Sequence, residues 1–121
     1  MKFCWTTLNV KNMDESLKFY QEVAGLPLIR TMEPAPEMKL AFLGSGETQV
    51  ELIWNAKVKN VNIGNDISIG FEVESLDKFT EFLRQRGTPV HGGPFQPNPK
   101  LRFIYVLDPN GLKVQFLENL R

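Results

Sequence analysis

The feature that most constrains the fold of this 121-residue chain is an internal repeat at an offset of 63 residues, which aligns Val10 with Val73. The matched positions keep their order along the chain and include paired prolines: Asp14 with Asp77, Phe19 with Phe82, Pro34 with Pro97 and Pro36 with Pro99. Ordered matches at one spacing are typical of a duplicated structural unit. We therefore expect two similar modules in one chain.

Each half predicts the same succession of elements. An apolar, β-rich run comes first, at 2–10 and again at 67–73. A helix follows in each half, with Asn12 and Ser75 as N-caps and Gly25 and Gly87 as left-handed ends. Three short strand-like runs complete each half, at about 27–32, 38–43 and 48–54 and at about 89–92, 101–107 and 112–118.

The connections between these runs also carry signals. Proline-rich segments at 34–36 and 94–99 predict breaks between strands, and Asp108-Pro109-Asn110-Gly111 predicts a tight turn. The pattern predicts an α+β fold of two βαβββ modules, each a curved four-stranded mixed sheet with one helix on its outer face. We expect residues 1–121 to form a single domain, with module one at 1–54, a linker at 55–66 and module two at 67–121.

The composition argues against several function classes. Lys and Arg total 14 and Asp and Glu total 14, so no basic surface is predicted for a nucleic acid. No apolar run approaches the length of a membrane span. The single cysteine, Cys4, lies in an apolar run and is expected to be a buried, inert thiol. A chain with one cysteine and no recognisable signal peptide is expected to be cytoplasmic.

Strand alternation divides the side chains between two faces of each predicted sheet. The helix should cover the apolar face, which carries Leu8, Val10, Phe71 and Val73. The other face carries polar, small and aromatic side chains, including Thr7. Four positions on that face are related by the repeat, and we expect them to converge in a cavity: Trp5, Glu51, Ser68 and Gln115.

Several stretches resemble the vicinal oxygen chelate superfamily, which includes glyoxalase I, bleomycin-resistance proteins, fosfomycin-resistance enzymes and extradiol dioxygenases. They are residues 8–20 (LNVKNMDESLKFY), 25–28 (GLPL), 108–111 (DPNG) and 113–118 (KVQFLE). The resemblance covers essentially the whole chain. It implies the glyoxalase/bleomycin-resistance fold, a small-molecule ligand and a homodimer.

The resemblance also implies four metal-ligand positions, which are Trp5, Glu51, Ser68 and Gln115 in this chain. Glu51 is the one strong ligand among them, and Gln115 is a weak one. The indole N–H of Trp5 is a donor only, and the Ser68 hydroxyl is a poor ligand. The only histidine, His91, lies at none of these positions. We predict no cofactor and no tight transition-metal site, although a weakly held divalent ion on Glu51 and Gln115 stays open.

Three functions remain open. The first is a small-molecule binding protein without the usual metal site, whose binding residues are predicted as Trp5, Thr7, Ser68, Gln115, Tyr105 and Arg102. The second is a divergent glyoxalase I-type lyase that uses Glu51 as its base or as a metal ligand, since an apolar cavity disfavours a charged carboxylate and suits it to proton transfer. The third is an interaction module whose pocket has collapsed around Trp5.

Overall fold

The duplication in the sequence corresponds to two separate four-stranded mixed sheets. A computed structural model describes residues 1–121 and divides them into two compact units, Met1–Ile63 and Gly64–Arg121. The boundary between the units lies within the segment 55–66. The predicted α+β class with two four-stranded mixed sheets is confirmed.

In the first unit the strand order across the sheet is β1-β4-β3-β2. The first strand runs parallel to β4, and the other neighbours are antiparallel. The helix α1 continues directly into a π-helical turn. The elements are β1 (Trp5–Asn9), α1 (Met13–Lys18), the π turn (Phe19–Val23), β2 (Leu28–Ala35), β3 (Met38–Leu43) and β4 (Gln49–Asn55).

The second unit repeats this topology, with the strand order β5-β8-β7-β6 and a parallel pair formed by β5 and β8. Its elements are β5 (Ser68–Glu72), α2 (Leu76–Arg86), β6 (Gly92–Asn98), β7 (Leu101–Leu107) and β8 (Lys113–Asn119). Neither helix in the chain is long and apolar enough to cross a bilayer.

Both predicted N-caps are present. The Asn12 side chain accepts a hydrogen bond from the Glu15 backbone N–H at 3.0 Å, and Ser75 accepts one from Lys78 at 3.3 Å. These bonds satisfy backbone donors that a first helical turn leaves without partners. At the other end of α2, Gly87 adopts φ 72°, a left-handed conformation that a glycine takes without a steric penalty.

Packing of α2 on its sheet depends on a buried aromatic contact. Phe116 of β8 is 1% exposed, and its ring centroid lies 4.4 Å from that of Phe79 in the helix. The Glu118 carboxylate accepts a hydrogen bond of 2.6 Å from the Leu76 backbone N–H at the start of the same helix. Together these contacts fix which face of the second sheet the helix covers.

Two expectations about the strands are wrong. The strand predicted at 89–92 lies instead at Gly92–Asn98 and contains Pro94 and Pro97. Proline is tolerated there because β6 is an edge strand that pairs on one side only, through an irregular register. For the same reason β2, the edge strand of the first sheet, extends through Pro34 to Ala35.

The expectation of a buried cysteine is also wrong. Cys4 is exposed, because β1 begins at Trp5 and residue 4 lies outside the sheet. The predicted tight turn before β8 is present, and its buried Asp108 carboxylate accepts hydrogen bonds from the backbone N–H groups of Asn110 and Leu112 at 2.8 and 2.9 Å.

Candidate functional site

The register of the first sheet brings two predicted site residues side by side and places an aromatic residue next to them. Thr7 of β1 pairs with Glu51 of β4, which in turn pairs with Phe42 of β3. Side chains of paired residues point to the same face of a sheet. Trp5, two residues before Thr7, shares this face. We call it the non-helical face of the first unit, since the alternate residues, among them Leu8 and Leu52, form the buried core.

Glu51 is held by its neighbour on β1. The Thr7 hydroxyl donates a hydrogen bond to the Glu51 carboxylate at 2.5 Å. Glu51 is only 8% exposed, although Thr7 itself remains exposed. A short hydrogen bond to a charged acceptor fixes the orientation of that carboxylate and offsets part of its desolvation. Thr7 therefore serves to position Glu51 on this face.

An aromatic cluster lies beside this carboxylate. The rings of Trp5 and Phe42 meet edge to face, with their centroids 5.4 Å apart. Phe42 is buried, whereas Trp5 is 45% exposed and presents a large ring surface. A rigid, half-exposed indole beside a buried phenyl ring suits contact with a planar apolar molecule.

The sequence did not predict Arg30, which lies on the same face. Arg30 of β2 pairs with Phe42, and its guanidinium carbon lies 4.1 Å from the centre of the Phe42 ring. A register irregularity between Leu28 and Arg30 changes the alternation of this strand. Simple period-two counting along the sequence therefore gave no signal for the orientation of Arg30.

A cavity of about 440 Å³ borders Trp5 at the end of the first sheet. Small-molecule sites commonly have volumes of this order. The walls combine polar backbone, two charged side chains and apolar groups. Besides Trp5, the lining residues are Lys2, Cys4, Ile29, Gly44, Ser45, Gly46, Glu47 and Gln49.

In the second unit the register brings Gln115 of β8 next to Gly70 of β5 and Tyr105 of β7. The Gln115 amide N–H donates to the Tyr105 hydroxyl at 3.4 Å. A side chain at position 70 would place its Cβ 3.1 Å from the Gln115 amide oxygen, so the glycine leaves room for that amide. Ser68 is exposed on the same strand face, two residues before Gly70.

Tyr105 belongs to a cluster of three aromatic rings in the second unit. Phe103 and Tyr105 are two residues apart on β7 and share one face, with ring centroids 5.6 Å apart. Phe95 of the edge strand lies 5.4 Å from Phe103 and is 46% exposed. Each unit thus combines a polar group, Glu51 or Gln115, with an aromatic surface on the face away from its helix.

Arg102 is not brought to this face. Arg102 and Tyr105 are three residues apart on β7, so their side chains point to opposite faces. The Arg102 guanidinium forms an ion pair of 3.3 Å with Asp77 in α2. Lys39 matches Arg102 in the repeat and likewise points to the face opposite Phe42. Its Nζ lies 5.7 Å from the centre of the Trp54 ring. His91 is exposed and precedes β6.

Two curved βαβββ units related by a repeat define the chain as a small α+β protein of the vicinal oxygen chelate type. It belongs to the Glyoxalase/Bleomycin resistance protein/Dioxygenase superfamily, whose sequence profile matches residues 2–116. Lactoylglutathione lyase from Haemophilus influenzae is 36% identical over 129 residues, covering 98% of this chain and 93% of that protein. The lactoylglutathione lyase of Salmonella typhimurium is 32% identical over 126 residues, with coverage of 98% and 93%.

Solved structures show the same fold. The trypanothione-dependent glyoxalase I of Leishmania major superposes with a TM-score of 0.82 at 25% identity, covering 98% of this chain and 86% of that one. A glyoxalase family protein from Bacillus cereus superposes with a TM-score of 0.84 at 18% identity, covering 100% and 95%, and supports the fold alone.

The side chains at the four positions where the resemblance implies metal ligands do not match the donor set of a tightly held zinc or nickel ion. Such sites use several imidazole, thiolate or carboxylate donors. Here Trp5 packs against Phe42, and Gln115 donates its amide N–H to a tyrosine. Glu51 is the one carboxylate among the four.

Proposed function

We propose that this chain is a small-molecule binding protein of the glyoxalase superfamily that acts without a tightly bound transition-metal ion. The observation that carries the proposal is the packing of Trp5 against Phe42 on the same face as Glu51. An aromatic ring occupies the position where the resemblance implies a metal ligand. The site therefore offers contact surface where its metal-binding relatives would offer a donor atom.

The binding residues in this proposal are those that the register supports. Trp5 and Thr7 lie with Glu51 in the first unit, and Ser68, Tyr105 and Gln115 share one sheet face in the second. Arg102 is left out of the proposal because it pairs with Asp77 on the helical face. In this proposal Glu51 is a buried hydrogen-bond acceptor for the ligand, held in place by Thr7.

The two tryptophans provide the test, because they lie on opposite faces of the first sheet. Trp5 is on the non-helical face with Glu51, and Trp54, three residues after Glu51 on β4, is on the other face. We would titrate the protein with naphthalene carboxamide, a neutral planar probe, and follow both indole N–H resonances by NMR. The resonance of Trp5 should shift and that of Trp54 should not. By isothermal titration calorimetry, which needs no indole signal, Trp54→Phe should bind the probe as the parent does, whereas Trp5→Ala should bind it at least tenfold more weakly.

A saturating shift at Trp54 alone would contradict the proposed site. No shift at either indole, with either this probe or its carboxylate analogue, would instead favour the interaction module in which Trp5 plugs a collapsed pocket. Circular dichroism of each variant checks that the fold is retained, so that lost binding is not mistaken for unfolding.

A second candidate is a divergent lyase of the glyoxalase I type, favoured by 36% identity to a lactoylglutathione lyase over nearly the full length of both chains. Glu51 would act as the base or as a ligand of a weakly held divalent ion. The test is the metal content of protein purified without chelators, together with lactoylglutathione lyase activity with and without added nickel or zinc. Stoichiometric metal and activity that is lost in Glu51→Gln would replace the first proposal.

We also propose that the protein forms a homodimer, as the resemblance implies. Both sheets have edge strands that pair on one side only, β1 and β2 in the first and β5 and β6 in the second. Such edges are usually covered in native proteins. Light scattering coupled to size-exclusion chromatography should give twice the chain mass of 13.8 kDa, and a monomer across the micromolar range would refute the proposal.

A further inference from the structure

Arg30 differs from the other cations that lie near aromatic rings in this chain. Its guanidinium carbon is 4.1 Å from the Phe42 ring centre, whereas the cations of Lys39, Arg86 and Lys113 are 5.7, 5.7 and 5.8 Å from theirs. At 4.1 Å the guanidinium is in direct contact with the ring. Its position on the face is therefore fixed by the buried phenyl ring.

This fixed guanidinium has no acidic partner. Arg84 pairs with Glu81 and Arg102 with Asp77, but Arg30 makes no ion pair and its side chain is exposed. A guanidinium has five N–H donors in a planar fork, and contact with the ring leaves them unused. Arg30 is thus a positioned but unpaired cation on a face that already carries the candidate site.

Glu51, the carboxylate on this face, forms no ion pair with Arg30. Glu51 lies on β4 and Arg30 on β2, with β3 between them. Two strand spacings separate their backbones by about 10 Å. The Glu51 carboxylate is moreover turned toward β1, where Thr7 donates to it. The face therefore carries a cation at Arg30 on one edge strand and a carboxylate at Glu51, and Phe42 lies on the strand between them.

We propose that the ligand is a small planar molecule with a carboxylate at one end, which Arg30 binds through its guanidinium fork. This inference rests on the proposed binding function and specifies its ligand class. The planar body contacts Trp5, and a hydrogen-bond donor at the far end reaches Glu51. Guanidinium and carboxylate match in shape and form two parallel hydrogen bonds, which a lysine ammonium does not reproduce.

The experiment compares naphthalene carboxylate with naphthalene carboxamide, which have the same ring system and differ in charge. Dissociation constants are measured by titration of the Trp5 indole resonance in the parent, in Arg30→Met and in Lys39→Met. Lys39→Met is a matched control because it removes one positive charge, also held over an aromatic ring, from the opposite face of the same sheet. Arg30→Lys is a second variant that keeps the charge but loses the fork.

The parent should bind the carboxylate at least tenfold more tightly than the carboxamide. Arg30→Met should weaken carboxylate binding by tenfold or more and carboxamide binding by less than threefold, with Arg30→Lys in between. Lys39→Met should change neither by more than twofold. Urea denaturation of each variant verifies that it is folded, and Arg30→Lys carries the test if Arg30→Met does not fold.

Equal carboxylate affinity in the parent, Arg30→Met and Arg30→Lys would overturn this inference while leaving the binding function intact. The same holds if Arg30→Met weakens both probes alike, because the loss would then reflect the aromatic surface and not the charge. If neither probe moves the Trp5 resonance in the parent, the proposed function itself fails.

Discussion

The hydrogen bond from Thr7 to Glu51 leads to a stability prediction that depends on one atom. Thr7→Val keeps the β-branched shape and removes the hydroxyl that donates to the carboxylate at 2.5 Å. Glu51 is 8% exposed, so water only partly replaces the lost donor. The variant should therefore be less stable than the parent, even though valine is as favourable in a strand as threonine.

The size of this effect follows from the charge on the acceptor and from the exposure of the donor. Hydrogen bonds to charged groups contribute about 1.5–3 kcal/mol to stability. Thr7 itself is exposed, so we expect a loss toward the lower end, about 1–2 kcal/mol. With an m-value of roughly 2 kcal/mol/M, the urea midpoint should fall by about 0.5–1 M.

Urea denaturation followed by circular dichroism measures this difference, and Thr6→Val is the matched control. Thr6 lies next in sequence on β1 but points to the other face and makes no side-chain hydrogen bond. Its replacement should shift the midpoint by less than about 0.3 M. Equal shifts for the two variants would refute the role given to Thr7.

The Glu51→Gln background sharpens the same test. The glutamine amide oxygen can still accept from Thr7, so Glu51→Gln should remain folded and lose about 1 kcal/mol or less. In that background Thr7→Val should cost about half of what it costs in the parent, because the acceptor is now neutral. An unfolded Glu51→Gln protein would assign Glu51 a structural role and count against a functional one.

Other expected outcomes concern the second unit and the metal. Phe116→Ala should cost about 3–5 kcal/mol in urea denaturation, because it empties the contact with Phe79. Ser75→Ala should cost about 1 kcal/mol through loss of the α2 cap, and should lower helicity at 222 nm. The hydrogen bond from Arg84 lowers the pKa of Glu81, so any stability that Glu81→Gln loses should be seen at about pH 7 and should diminish as the pH falls through the lowered pKa of Glu81. Dialysis against EDTA should leave both the melting temperature and carboxylate-probe affinity unchanged, and a drop in either would argue for a resident ion.

The sequence predicted the fold well because its signals are local. The caps at Asn12 and Ser75 and the turn at Asp108 depend on side chains that bond to backbone groups a few residues away. The repeat strengthened these predictions, because the same succession of elements was predicted independently in each half. The prediction of β6 was wrong because its prolines indicated a break in the strand. Prolines are tolerated there because β6 is an edge strand.

For the candidate site, period-two alternation correctly placed Thr7 and Glu51 on one face, because β1 and β4 are regular and in register. The sequence predicted both Tyr105 and Arg102 as binding residues, although residues three apart on a regular strand face opposite ways. Pairing of Tyr105 with Gln115 of β8 places Tyr105, and not Arg102, on the candidate face. Side-chain direction in a strand follows from its partner's register, and that information lies far away in the sequence.

The sequence alone determined the two-module architecture, the helix caps and the tight turn before β8. The tertiary structure decided that Arg30 lies over Phe42, that Arg102 pairs with Asp77 and that Cys4 is exposed. The difference has one physical cause. Composition and periodicity specify which elements form, but bulges, edges and strand ends arise from contacts between distant segments, and these set where each side chain points.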